Sequence, residues 1–417
     1  MSITDWHAMR RSFLLLGPLI AGATLLGFRR PAPVACDMDN GGLVLRPGFC
    51  ASLFASVPGV RNVAVAPNGD VFAAGGRNGV TALRDRKGTG HADTSVSFGG
   101  GSGTGIAIGP DAIYFAPNDR VIRFAWKPGS LVPSDPGTTL VSGLPASGNH
   151  VAKTLALGKD GSIFVDHGSA SNSCQEADRV GKSPGKEPCP ELAIRAGIWH
   201  YDTRRVNQTP ADGERWTTGV RNGMAIAVNP ATGVLWGATH GRDQLGDWGM
   251  SVQDNAEKPA EEFGLFAKGA DYGWPYCYFD PIAHKKVQAP EYGGDGVKRG
   301  NCATMTQPVI AFPGHWAPMS LAFVPNTRFG AAYAGGAFLA FHGSWNRAPL
   351  PQAGFRVVFI PFRNGRATGQ YTTFATGAGG ATSLRASGVA MAPDGNALYI
   401  ASDGAGKIWR VIPTTSR

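Results

Sequence analysis

Hydrophobic and polar positions change over in short runs along most of this chain, and no long 3.6-residue periodicity appears after the first 35 residues. One pattern recurs six times. It is an apolar–Ala–apolar triplet, then a turn of Pro, Gly, Asn or Asp, then an apolar–aromatic pair. The copies are Val63-Ala64-Val65 with Val71-Phe72, Ile106-Ala107-Ile108 with Ile113-Tyr114, and Leu155-Ala156-Leu157 with Ile163-Phe164. The later ones are Ile226-Ala227-Val228 with Leu235-Trp236, Leu321-Ala322-Phe323 with Phe338-Leu339 after a longer insertion, and Val389-Ala390-Met391 with Leu398-Tyr399. Each unit reads as a β-hairpin, two apolar strands joined by a turn that these residues can make. The alanine has a packing reason if these strands converge on a common axis, where only small side chains fit.

Near-copies at this spacing predict radial repetition of small sheets, an all-β, six-bladed β-propeller spanning residues 36–417. With 417 residues, 43% of them hydrophobic, the chain can bury a large core without relying on disulfides. The 59 glycines and 30 prolines have no period of three, so they read as turn punctuation rather than a fibrous repeat. Long gaps between the third and fourth and between the fourth and fifth copies predict loop insertions.

Residues 1–35 have a different character. Arg10-Arg11 precedes an apolar run from Leu14 to Phe28 that Gly17, Pro18 and Gly22 interrupt, the pattern of a twin-arginine export signal rather than a permanent span. A cleavage point before Cys36 is plausible, and periplasmic or secreted placement follows, with membrane tethering if the leader stays. The cysteines agree. They fall in three neighbouring pairs, Cys36–Cys50, Cys174–Cys189 and Cys277–Cys302, each bracketing a polar or Pro/Gly-rich loop, and no spacing suits zinc. The formal charge of +9 is spread without a basic run, which argues against a nucleic-acid partner and leaves arginines for a small anion.

Residues just before the inner strands should ring the channel mouth. They are Arg61-Asn62, the neutral Gly103-Thr104-Gly105, His150 and Lys153, Arg221-Asn222, His315-Trp316-Ala317-Pro318, and Arg385. Several cations, amides and a histidine would thus face one concavity, which suits an anion held by guanidinium forks beside a titratable base. His342-Gly343-Ser344-Trp345-Asn346-Arg347 and His240-Gly241-Arg242-Asp243 add polar clusters directly after apolar strands.

With Gly148-Asn149-His150, Val220-Arg221-Asn222-Gly223, Tyr272-Gly273-Trp274-Pro275 and His342-Gly343-Ser344-Trp345-Asn346-Arg347, the chain from about Pro47 to Pro413 resembles the glucose/sorbosone dehydrogenase family, above all its sorbosone-dehydrogenase-like branch. That resemblance implies a six-bladed propeller that uses pyrroloquinoline quinone and calcium to oxidise an aldose or related polyol by hydride transfer. Electrons would go to a soluble or membrane acceptor. It makes His150 the general base and Arg221 the group that stabilises charge on the quinone. Arg61, Asn222, His342, Trp345, Arg347 and Arg385 become cofactor contacts, and Gly241, Arg242 and Asp243 the source of calcium ligands. The chain departs from the glucose dehydrogenases at His240-Gly241-Arg242-Asp243, where those enzymes have a different Gly-Pro turn. A calcium-dependent lactonase or hydrolase, or a non-catalytic binding propeller, stand as alternatives on the same architecture. The former would centre on inward carboxylates, and this list is richer in arginine.

Overall fold

The computed structural model describes residues 36–414; the expected export leader lies outside the described residues. Each of the six repeat copies forms the hairpin the pattern predicts. The first strands are Val60–Val65, Gly103–Ile108, Leu155–Leu157, Ala225–Val228, Pro318–Phe323 and Ala386–Met391. The register gives the repeated alanine a local cause. In every copy it lies directly opposite the aromatic residue of the second strand: Ala64 faces Phe72, Ala107 faces Tyr114, Ala156 faces Phe164, Ala227 faces Trp236, Ala322 faces Phe338 and Ala390 faces Tyr399. Directly opposed residues of an antiparallel pair share a face at about 5 Å between Cβ atoms, so a ring on one side calls for a small partner.

Each ring then fills the gap between its own sheet and a neighbour. Phe72 packs with Ile106, Ile113 and Phe115 of the next hairpin, Trp236 with Leu321 and Phe341, and Phe338 with Val389, Leu398 and Ile400. Tyr399 packs back on Val63 and Val71 of the first hairpin, which closes the circle. Third and fourth strands extend each hairpin outward as an antiparallel meander, and a Gly75–Gly103 pairing joins the first two meanders into one sheet. The last sheet is completed from the start of the described chain, where Phe49–Ser56 pairs with Lys407–Pro413. Such closure ties distant parts of the chain into one propeller-like ring.

The two long gaps are insertions. One, between Ser162–His167 and Gly197–Asp202, holds the Cys174–Cys189 disulfide; the other, between Glu261–Leu265 and Ile310–Phe312, holds Cys277–Cys302. Cys36–Cys50 forms as well, so all three pairings read from the sequence are present. Among the described residues the one α-helix is Val252–Glu257, capped by Ser251, and no helix there is long and apolar enough to cross a membrane.

Candidate active site

A cleft of about 150 Å³ opens between the loops that follow or precede the inner strands of the third, fourth and fifth meanders. His150, Arg179, Arg221, His240, Asp243, Glu261 and His315 are its titratable residues, and Trp345 and Asn346 also line it.

His150 is the base candidate, and its hydrogen bonds fix its tautomer. Nδ1 lies 3.0 Å from the Ser169 carbonyl and 2.9 Å from the Ser169 hydroxyl. That hydroxyl donates its own hydrogen to the Ser171 carbonyl at 2.7 Å, so towards His150 it accepts. Nδ1 therefore carries the proton, and Nε2 keeps a lone pair. Burial, then the charges of Arg221 and His240, hold the imidazole well below the ordinary histidine value, so it is neutral near pH 7. The approach is close: a Cβ on Gly168 would sit 2.5 Å from the Cβ of His150.

Arg221 is 4% exposed. Four of its five N–H groups are held: Nε by the Asn172 carbonyl, Nη1 by the Gly241 carbonyl, and Nη2 by Asn172 Oδ1 and Asp243 Oδ2. Asp243 is the common counter-ion. It also pairs with Arg179 at 3.0 Å and His315 at 3.6 Å and accepts from Asn346 Nδ2. Burial alone would push its carboxyl up; His315, Arg221 and Arg179 override that and hold it far below the usual carboxylate range. The same contact raises the His315 value against its own burial, which favours an imidazolium there. His240 goes the other way. Burial, reinforced by Arg221, pushes it down to about 4, although Nε2 donates to the Pro318 carbonyl at 2.7 Å. Glu261 accepts from the backbone N–H groups of Gly241 and Ala317, and burial lifts it to about 7.

A second charged group sits beside the cleft, joined to it through His342-Gly343. His342 Nε2 lies 2.9 Å from Asp403 Oδ1, Arg61 donates to Asp403 Oδ2 at 2.7 Å, and Arg385 donates to the His342 ring at 3.2 Å. Burial raises Asp403, but His342, Arg61 and Arg385 bring it below its ordinary value. Arg385 and Arg61 are partly open to solvent, and Trp345 is 71% exposed, an aromatic wall facing outward.

The family model described as TrAA12-like matches residues 43–414. The chain belongs to the TrAA12-like family. It is 27% identical over 343 residues to the pyrroloquinoline quinone-dependent sugar dehydrogenase of Hypocrea jecorina, covering 76% of this chain and 70% of that one. The calcium structure of Trichoderma reesei carbohydrate-active enzymes family AA12 superposes with a TM-score of 0.75 at 20% identity, covering 93% of this chain and all of that one. The holo form of the pyranose dehydrogenase PQQ domain from Coprinopsis cinerea superposes with a TM-score of 0.72 at 18% identity, covering 89% and 97%. These likenesses show that the fold is shared.

Against this TrAA12-like frame, His150, Arg221, Gly241, Asp243 and Trp345 all line the cleft. Asn222 adjoins it through His240, while Arg61, His342 and Arg385 form the neighbouring group. Other expectations need correcting. The Arg347 guanidinium is buried and satisfied by the carbonyls of Ala256, Gly314 and Pro351 and by Glu257, so it braces a loop and does not face a ligand. Arg347→Ala should therefore lower stability by at least about 2 kcal/mol, because it strands buried carbonyls, and leave ligand affinity within twofold. Thermal melting and a ligand titration would check both halves. The Arg242 side chain turns away into a buried pair with Glu291 at 2.6 Å, which leaves only its backbone for a metal. The Asp243 carboxylate is taken up by Arg221, Arg179, His315 and Asn346, so it is not a free metal ligand. Lys153 is no mouth cation either: it is fully buried, donating to the carbonyls of Pro145 and Val151.

Arg179, His240, Glu261 and Asp403 are the residues that the mouth positions did not assign. A signal for two of them lies in the repeat itself. The residue directly after a second strand is followed by glycine in His240-Gly241, His342-Gly343 and Asp403-Gly404, and a second strand ends on His167 before Gly168.

Proposed function

We propose that this chain is an exported pyrroloquinoline quinone-dependent sugar dehydrogenase on a six-bladed propeller, oxidising an aldose or related polyol with calcium as the second cofactor and an external electron acceptor. The observation that carries this reading is the fixed tautomer of His150, a neutral base with a free Nε2 beside a cleft built around a buried arginine.

The residues present fit the cofactor. The side-chain oxygens of Asn222 and Asn346 are buried without a partner, and one Arg221 Nη1 hydrogen remains over. Arg179, Arg221 and the His315 imidazolium outweigh Asp243, and Arg61 and Arg385 outweigh Asp403, so an anion with several carboxylates is favoured. Arg221, Asn222, Trp345, His342, Arg61 and Arg385 would hold the quinone. Among the described residues no group of three or more His, Cys, Asp or Glu could hold a metal. A calcium ion would thus rest on neutral oxygens and draw its negative charge from the bound anion. This donor set also weighs against a hydrolase centred on metal-bound carboxylates.

Pyrroloquinoline quinone, when bound, supplies an acceptor for a hydride and its two electrons. His150 Nε2 would take the proton from the substrate hydroxyl, whose O–H electron pair becomes the new C=O bond as the C–H pair leaves the carbon that bears it. Ser169 keeps the ring oriented and receives the Nδ1 hydrogen bond throughout. Arg221 presents fixed positive charge, already desolvated, where negative charge grows. Its partners Asn172 and Gly241 restrain it from turning away. Trp345 would give the sugar an exposed aromatic face to lie against. The twin-arginine leader supports export, as do three disulfides.

The test is a spectral titration of purified apo-protein with pyrroloquinoline quinone, with and without calcium, followed by an aldose panel with a dye acceptor. Stoichiometric, calcium-dependent binding and bleaching of the quinone on adding a sugar are the expected results. Absence of binding in both conditions would remove the dehydrogenase reading.

A further inference from the structure

The insertion stapled by Cys174–Cys189 runs from the base loop to the Arg221 side of the cleft, and it carries Asn172, 0% exposed. Every polar atom of Asn172 is engaged. Oδ1 accepts from Arg221 Nη2 at 3.0 Å and from the Asp243 N–H at 2.9 Å, and Nδ2 donates to the Asp243 carbonyl at 3.0 Å. Its carbonyl accepts from Arg221 Nε at 3.0 Å and Trp274 Nε1 at 2.9 Å, and its N–H donates to Asp178 Oδ1 at 2.8 Å. The other oxygen of Asp178 accepts from the Asn149 amide, the neighbour of His150.

We infer that Asn172 is a positioning residue: it sets both the Arg221 guanidinium and the Asp243 backbone, and the stapled loop carrying it ties the arginine side of the cleft to the His150 loop. The chemistry asks for a carboxamide. Only a planar group with one acceptor and one donor can serve the N–H and the carbonyl of one residue together while accepting from a guanidinium. Aspartate keeps the acceptor for Arg221 and the Asp243 N–H but loses the donation to the Asp243 carbonyl. Alanine loses all three. Arg221 would then keep the Asn172 and Gly241 carbonyls and Asp243, which do not fix its plane as two parallel bonds to one residue do. The inference rests on the quinone-site reading only for its consequence in binding, since the clamp itself belongs to the protein without cofactor.

The experiment has two arms. Hydrogen–deuterium exchange of the cofactor-free protein follows peptides containing the Asp243 amide, and the quinone titration follows affinity. In Asn172→Ala, exchange should speed up at least tenfold at that segment while peptides from the inter-sheet cores keep wild-type rates, and quinone affinity should fall about tenfold or more. Asn172→Asp should restore most of the protection and part of the affinity, a rescue that a loss of general packing would not give. Wild-type exchange at the Asp243 segment in Asn172→Ala overturns the inference, whatever the quinone does. Failure of the wild-type protein to bind quinone overturns the functional reading instead, and the exchange arm still decides the clamp. If the alanine variant does not accumulate folded, Asn172→Asp decides alone. A smaller, local acceleration from its lost donation supports the clamp, and none overturns it.

Discussion

In His150→Ala, kcat falls by about 10²–10⁴ while quinone affinity stays within a few-fold of wild type. The size follows from the single task left to the residue. His150 lends the cleft no charge, because burial and Arg221 keep it neutral, so its removal costs the anion little. What goes is the Nε2 lone pair, which the bonds at Nδ1 leave free. The pH profile checks the same point independently. The folded-state value is lowered, so the base stays unprotonated as pH falls through about 6.5, the ordinary histidine value. The acid limb of kcat/KM should therefore lie clearly below that. An acid limb at or above 6.5, or a variant that turns over at the wild-type rate, would remove His150 as the base.

The ring of hairpins was legible because its cause is local and repeated. An alanine opposite an aromatic, with turn residues between, writes the same register six times. His150, Arg221 and Asn222 were legible for a related reason, since positions flanking a recognised strand must lie at its mouth. Arg347 and Arg242 were misread because charge in a sequence says nothing of which acceptor will take it. Buried carbonyls claimed one, and Glu291, far along the chain, claimed the other. Asp403 was missed for the converse reason. It is a lone acidic residue in a turn, and only its position after a second strand places it among His342, Arg61 and Arg385. Arg179 lay inside an insertion without periodicity, and nothing short of the folded loop brings it to Asp243.

Asp243→Ala is expected to cost about 3–5 kcal/mol of stability, the loss typical of removing one member of a buried charge network. Arg221 and His315, both buried, and the part-exposed Arg179 would lose their shared counter-ion. Asp243→Asn should cost less, keeping some hydrogen bonds without the charge. The pH dependence has a definite sign. A carboxyl held below its unfolded value contributes stability that is fully present above about pH 3.9 and is lost only as pH falls towards its folded value. The gap between wild type and Asp243→Asn in denaturant unfolding should not close between pH 7 and about 4; it should widen there, as protonation of His315 draws on the Asp243 charge, and narrow below that. A gap already closing between pH 7 and 5 would show that the carboxyl is not depressed. Quinone affinity separates two further effects. Deleting a negative charge beside an anion site should, by Coulomb's law alone, tighten binding. If holding Arg221 in place matters more, binding weakens, and that is the expected outcome: one screened charge is worth less to the ligand than a buried guanidinium already aimed at it. Tighter binding in Asp243→Asn would mean that the cleft recognises its ligand by net charge and not by the placement of Arg221.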